Sequence, residues 1–193
     1  MQIALLKSPS PTERERVWVT RPDGWARRIA CIIEHDLPHL VVESVFEIEH
    51  GFWGLVAAGA FTVAPGVPGH AAWKLAHGGS EPLLHEYAEE LHLAKGAVNA
   101  VMAIPRGWLA PDPDPVSAVR TVLTGLKYES SSGSQEKAAV LKESLLARVT
   151  DRDIELALTG VDLVFGKWKR MGAGEKWEVG WPLDVAGLSN RQL

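Results

Sequence analysis

The chain has 193 residues, of which 46% are hydrophobic and 23% charged, and its net charge is −4. These values are typical of a single globular domain, here residues 1–193, with a sizeable core, and the absence of a basic stripe argues against nucleic acid as a partner. The one cysteine, Cys31, excludes an internal disulfide and the cysteine-rich zinc modules.

The first residues indicate where the protein is located. The N-terminus lacks the charged start and the long apolar stretch of a signal peptide. The longest apolar run, residues 55–61, is too short to cross a bilayer. We therefore expect a cytoplasmic protein without a membrane partner, either a monomer or a homodimer.

Strand patterns stand at both ends of the chain. Apolar-rich runs at Gln2–Leu6 and Arg16–Thr20, separated by a proline-rich connection, predict an N-terminal hairpin. Near the C-terminus, Trp177, Val179 and Trp181 alternate with polar residues and glycine, which is the period of a strand. An isolated hairpin is only marginally stable in water, so we expect the C-terminal strand to pair with it in one antiparallel sheet.

The residues between these ends show mostly helical patterns. Asp36 is predicted to cap a helix that ends near Glu47, with Pro38 in its first turn. A second apolar helix is predicted over Phe52–Phe61, and a long amphipathic helix from about Pro82 to Ala103.

Further helices are predicted after a second proline-rich loop. Apolar spacing indicates helices near residues 116–126 and 138–149, and Thr150 with Asp153 resembles a capping pair that opens the last helix. The predicted fold is α+β, with five or six helices packed on a small antiparallel sheet formed by the N-terminal hairpin and the C-terminal strand.

The titratable residues are concentrated in the middle of the chain. All seven histidines lie between His35 and His92. Residues 29–100 carry two basic and nine acidic residues, a local balance of 2 − 9 = −7. Such a region suits a cation better than a phosphate.

Two groups within this region could bind a divalent metal such as zinc. On the helix capped by Asp36, a histidine and a glutamate stand four residues apart and share a face, with another histidine just before the cap. On the long helix, a histidine, a glutamate and a histidine are spaced four and three apart. The candidate metal ligands are His35, His39, Glu43, His85, Glu89 and His92. Each group also fits a structural role, as a hydrogen-bonded pair or as a solvated helix face.

Other catalytic arrangements are not found in the sequence. It has no Gly-x-Ser-x-Gly elbow, no Walker-type phosphate loop and no His-Glu-x-x-His. Cys31 lies in an apolar run and is predicted to be a buried, inert thiol. Aromatic residues at Phe52, Trp53 and Trp73 could instead line a pocket for a small apolar ligand.

A short segment resembles other proteins. The His-Asp-Leu-Pro-His run at residues 35–39, followed by Val42-Glu43 and by Gly-Phe-Trp-Gly at 51–54, is similar to segments of a group of small uncharacterised bacterial proteins. The region from Trp168 to Pro182 looks like the closing helix and strand of that group. No activity is known for the group, so the resemblance implies no substrate, cofactor or site residue. It favours treating residues 35–59 as one unit.

Three functions are therefore open at the level of sequence. The first is a non-enzymatic accessory or interaction role, in which the His39 and Glu43 pair is structural. The second is a metal-dependent, hydrolase-like enzyme that uses the histidine and glutamate cluster in residues 35–92. The third is a domain that binds a small molecule in an aromatic pocket.

Overall fold

The computed structural model confirms the α+β prediction. It describes residues 1–10, 15–63, 76, 78–107, 113–128 and 134–188. Within these ranges the chain forms four strands and seven helices, one or two helices more than the sequence analysis predicts.

The strands form one antiparallel sheet of order β3-β2-β1-β4. The predicted pairing of the two chain ends is confirmed, because Ile3 on the first strand lies opposite both Val19 and Val179. These inward-facing side chains are buried and form one wall of the core. The strands are β1 (Gln2–Leu6), β2 (Arg16–Thr20), β3 (Ala26–Ile29) and β4 (Lys176–Gly180).

Strand β3 is missing from the sequence prediction. Arg27 and Arg28 interrupt the apolar alternation that would indicate a strand, and only Ile29 is buried. The strand lies at the edge of the sheet, paired with β2 alone. Edge strands commonly carry charged side chains, because these discourage pairing with other chains.

Helix α1 lies at the centre of the fold and contacts α2, α4 and α7. Nine of its residues are buried, among them Asp36, His39 and Glu43. The helices are α1 (Ile33–Val45), α2 (Phe52–Ala58), α3 (Glu81–Glu86), α4 (Ala88–Met102), α5 (Pro115–Gly125), α6 (Gln135–Arg148) and α7 (Asp151–Arg170). No helix in the described ranges is both long enough and apolar enough to cross a membrane.

The start of α1 differs from the prediction. The helix begins at Ile33, so Asp36 is inside it and caps it by accepting the Ile32 N–H at 2.6 Å. Pro38 consequently lies in the second turn, where it offers no N–H to the carbonyl of Glu34. The guanidinium of Arg106 donates to that carbonyl at 3.4 Å. A long-range contact thus replaces part of the helix bonding that the proline removes.

Two further helix boundaries are corrected, and one is confirmed. Helix α2 ends at Ala58 rather than at residue 61, because Gly59 adopts a left-handed conformation at φ 108°. The predicted long helix is broken at Tyr87, where φ and ψ are −112° and 24°. The predicted capping pair of Thr150 and Asp153 is confirmed as a full capping box at the start of α7.

Candidate functional site

The candidate site is built around Glu43, a carboxylate in the core that is 1% exposed. Its two oxygens accept the backbone N–H groups of Phe52 at 2.5 Å and of Trp53 at 2.9 Å. These groups belong to the first turn of α2, where N–H groups have no partner within their own helix. Glu43 therefore caps α2 from another helix, and its negative charge faces the positive end of the α2 dipole.

His39 completes the set of groups around this carboxylate. Its Nδ1 atom lies 2.8 Å from Glu43 Oε1, and the ring is 2% exposed. The predicted contact between these two residues on one helix face is confirmed. Burial raises the pKa of Glu43, while His39 and the two N–H groups of α2 act in the opposite direction. Burial is the largest of these effects, so the pKa of Glu43 stays above its ordinary value although these three neighbours favour the charged form.

Gly51 allows α2 to come this close to α1. A Cβ atom at this position would lie 2.7 Å from Glu43 Cγ and still closer to the carboxyl group. Only a residue without a side chain leaves space for the carboxylate beside the start of α2. The Gly51-Phe52-Trp53 run that follows α1 therefore forms one unit with Glu43.

A second carboxylate and histidine pair lies one turn earlier on α1. Asp36 is 5% exposed, and its Oδ1 atom lies 2.7 Å from His35 Nδ1. The Trp53 indole N–H donates to the Asp36 carbonyl at 3.0 Å, which ties α2 to this turn as well. The rings of His35 and His39 are 5.8 Å apart between centroids. Each of two neighbouring imidazoles is thus held at Nδ1 by a carboxylate of its own helix.

Both imidazoles line one cavity, which we call the α1 cavity. It has a volume of about 270 Å³ and also touches aliphatic side chains of α3 and α4. The His39 ring is held at Nδ1, and no described residue bonds its Nε2 atom. The residues that matter for its chemistry are His35, Asp36, His39, Phe52, Phe61 and Lys95.

A larger cavity adjoins the first at His35. It has a volume of about 600 Å³, and its charged lining includes Arg106, Asp162 and Lys169. The His35 side chain is 55% exposed and contributes to both cavities.

The second group of predicted ligands is dispersed. His85 is exposed on α3, whereas Glu89 lies on α4 beyond the break in the helix. Glu89 accepts the Ser134 N–H at 2.8 Å and pairs with Lys137 at 2.9 Å, and these contacts lower its pKa to about 2. His92 instead contacts the Tyr128 ring edge-on, with centroids 4.9 Å apart.

The structure therefore keeps only some of the predicted metal ligands close together. Among the described residues, no group of three or more histidine, cysteine or acidic side chains is arranged to hold a metal ion. His35 and His39 remain together, with Glu43 behind one of them. Metal binding stays a prediction that rests on this pair. His70, His77 and Trp73 lie outside the described residues.

Sequence analysis missed two side-chain contacts that the structure shows. His50 donates its backbone N–H to Glu90 at 2.8 Å, places Nδ1 at 3.1 Å from the same carboxylate, and stacks on Tyr87 at 3.9 Å. The partners are about forty residues apart, so no spacing rule indicates the contact. The capping of α2 by Glu43 was also missed, because it spans nine and ten residues between two different helices, although the glycine at 51 before an apolar helix was a signal for it.

The remaining predictions for this region concern the Cys31 thiol and the aromatic pocket residues. Cys31 is half-buried rather than buried as predicted, while desolvation and the Asp36 carboxylate raise its pKa well above the usual range, which agrees with an inert thiol. Of the predicted aromatic pocket residues, Phe52 lines the α1 cavity, whereas Trp53 is buried in the core.

Comparisons with protein-family models, curated proteins and solved structures found no match to this chain. The function is therefore argued from the geometry alone.

Proposed function

We propose that the protein is a hydrolase-like enzyme in which His39 acts as a general base at the α1 cavity. One observation carries the proposal. The Nδ1 side of the His39 ring lies against the buried carboxylate of Glu43, while the ring borders a cavity and its Nε2 atom bonds no described residue. This arrangement of carboxylate and imidazole is the one by which enzymes orient a histidine base.

The chemistry follows from the position of each group. His39 Nε2 takes a proton from a water molecule, whose oxygen bonds to the acyl carbon of the substrate. The bond from that carbon to the leaving group then breaks, and His39 returns the proton to the leaving group. Glu43 stabilises the imidazolium that forms between these steps. Lys95, which also lines the cavity, supplies positive charge for the oxyanion.

The lining indicates the class of substrate. A volume of about 270 Å³ is slightly below the roughly 300–1,000 Å³ of typical ligand pockets, so the substrate is small. Phe52 and Phe61 stack with centroids 5.1 Å apart and offer an apolar wall. We therefore propose a small acyl compound with an apolar acyl group. A cytoplasmic location and a small-molecule partner are part of the same proposal.

A purely structural role for His39 is the main alternative. A structural role explains why His39 lies against Glu43, whose charged form it favours, but it does not explain why the ring borders a cavity. The general-base role accounts for an Nε2 atom that bonds no described residue as well as for the buried pair.

The first experiment determines which His39 nitrogen carries the hydrogen. Long-range ¹⁵N NMR of the full chain at neutral pH should show Nδ1 protonated and Nε2 unprotonated. A hydrogen on Nε2 would mean that Glu43 donates to Nδ1, and His39 could not act as a base. That result would contradict the proposal directly.

The second experiment measures turnover. The wild-type protein should hydrolyse p-nitrophenyl acetate, and His39→Gln should lower kcat/KM by roughly 10²–10⁴, the usual contribution of a general base. His50→Gln is the matched control, because His50 also lies beside a carboxylate but does not line the α1 cavity. Equal rates for His39→Gln and the wild type would exclude His39 as the base.

A divalent metal at His35 and His39 is the second candidate. Metal-binding histidines usually hold the other ring nitrogen against a carboxylate or carbonyl, and both imidazoles meet this condition. An ion bound at Nε2 lies roughly 3.2 Å from the ring centroid, so two ligands of a tetrahedral zinc have centroids about 5 Å apart. The observed 5.8 Å is close to that value. A bound zinc ion would supply an activated water at neutral pH.

Metal titration tests this second candidate. Adding Zn²⁺ should raise the thermal midpoint of the protein, because a ligand that binds only the folded state stabilises it. His39→Ala should remove the increase, and His50→Ala should retain it. If the thermal midpoint of the wild type does not change with Zn²⁺, the metal candidate is excluded and the general-base proposal stands without a metal. If His39 also proves inactive, the accessory role becomes the better explanation of the fold.

A further inference from the structure

A second cavity lies between α4, the segment after α5, and α6, and we call it the α4–α6 cavity. Its volume is about 320 Å³, within the range of small-molecule sites. Among the described lining residues, Lys95 alone is shared with the α1 cavity. Its polar lining residues include Lys95, Asn99, Lys127, Tyr128 and Lys142.

Tyr128, a residue of the cavity lining, has the most informative side chain there because of its hydroxyl group. Its oxygen is buried, and it has no hydrogen-bond partner among the residues that the structure describes. Buried hydroxyl groups are normally paired, because leaving one unpaired costs free energy. The Tyr128 ring is held edge-on against His92, with centroids 4.9 Å apart. Tyr128 belongs to the cavity lining, so a ligand acceptor that reaches this hydroxyl group would supply the partner that it lacks.

The charges around the cavity specify that ligand further. Lys95 and Lys127 are exposed at its lining, and the Lys142 ammonium donates to the Thr124 and Leu126 carbonyls at 3.2 and 3.1 Å. Glu89 also borders the cavity, but its charge is matched by Lys137, which lies 2.9 Å away. The lining thus carries a net positive charge that favours an anion.

The remaining walls are apolar. Leu93, Leu126 and Ala138 line the cavity, and Leu126 packs so tightly on α4 that a Cβ atom at Gly96 would lie 2.9 Å from its Cδ1. Phosphate sites commonly use arginine forks or helix N-termini, and no arginine is among the described lining residues. A planar carboxylate with an apolar body fits these walls better than a phosphate.

We propose that the α4–α6 cavity binds a small organic carboxylate. Tyr128 donates its hydroxyl hydrogen to one carboxylate oxygen, Lys127 and Lys95 neutralise the charge, and the apolar body packs against Leu93 and Leu126. The proposal does not depend on chemistry at His39, since His39 does not line this cavity and Lys95 is the one residue common to the two described linings.

Calorimetric titration of the full chain with three matched probes tests the proposal. Benzoate should bind at least tenfold more tightly than benzyl alcohol, which has the same ring without the charge. Inorganic phosphate should bind more weakly than benzoate. Tyr128→Phe should weaken benzoate binding about tenfold, and Lys127→Gln should weaken it severalfold.

The Tyr128→Phe variant also separates a binding role from a structural one. Because the hydroxyl group bonds none of the described residues, its removal should leave the thermal midpoint unchanged or raise it. Benzoate binding that is absent, no tighter than benzyl alcohol binding, or unaffected by Tyr128→Phe would overturn the proposal. Tighter binding of phosphate than of benzoate would overturn the carboxylate assignment.

Discussion

The carboxylate of Glu43 should be one of the largest single contributors to the stability of this fold. Its side chain accepts two backbone N–H groups of α2 and faces His39 Nδ1, all in a place that is 1% exposed. Replacing Glu43 with alanine leaves three buried polar groups without their partner. It also removes the group that connects α2 to α1.

The size of the effect follows from these three contacts. Each orphaned buried polar group costs about 1–3 kcal/mol, so the upper range is about 3–9 kcal/mol. Two effects make the loss of stability smaller than this upper range. Water can enter the space left by the side chain, and removing a carboxylate whose pKa is raised by burial relieves its desolvation. We expect a loss of about 4 kcal/mol, a large part of the roughly 5–15 kcal/mol that stabilises an ordinary domain. Glu43→Gln, which keeps the shape and one acceptor, should lose about 1–2 kcal/mol.

Urea unfolding measures both variants through the free energy of unfolding. The control is Glu49→Ala, which removes an exposed carboxylate from the connection between α1 and α2 and should change stability by less than about 0.5 kcal/mol. Hydrogen exchange at the Phe52 and Trp53 amides should accelerate in Glu43→Ala. A loss of less than about 1 kcal/mol, with both amides still protected, would refute the reasoning.

Two further predictions concern a close contact and an ion pair. Gly51→Ala should lower the free energy of unfolding in urea by about 2–3 kcal/mol, because its Cβ atom would collide with the Glu43 side chain. Gly78→Ala is the control and should cost little, since nothing lies within 4 Å of a Cβ atom there. Equal unfolding midpoints for the two variants would contradict the close approach of Gly51 to Glu43. Glu89→Gln should destabilise the protein by about 1 kcal/mol at pH 7, a modest value because Lys137 is half-exposed. The pKa of Glu89 is lowered from 4.5 to about 2, so its contribution is present above pH 4.5 and is lost as the pH falls towards 2. Thermal midpoints of the variant and the wild type should therefore converge over that range, and a constant difference would show that the ion pair is not the cause.

The elements that sequence analysis predicted correctly are those whose signal is local. The alternation of Trp177 and Val179 identified a strand, and the need of the N-terminal hairpin for a partner placed it in the same sheet. Thr150 and Asp153 cap each other across three residues of one segment. The spacing of His39 and Glu43 likewise put them on one helix face, where they touch.

The errors occur where distant segments decide the local geometry. The break at Tyr87 accompanies a stacking contact with His50, and the first helix begins earlier than expected because the buried Asp36 caps it from inside the first turn. The predicted helix face shared by His85, Glu89 and His92 was lost with that break, since its residues turn to different neighbours.

The sequence by itself determined the fold class, the pairing of the chain ends and the contact between His39 and Glu43, because each follows from periodicity or spacing within a short segment. Only the tertiary structure decided what these residues could do. The second partner of Glu43 is a helix start nine and ten residues away, and Tyr128 meets residues of α4 and α6 only where these helices enclose a cavity. A cavity is the space left between packed elements. Its position depends on how helices and strands meet, and periodicity along one segment does not contain that information.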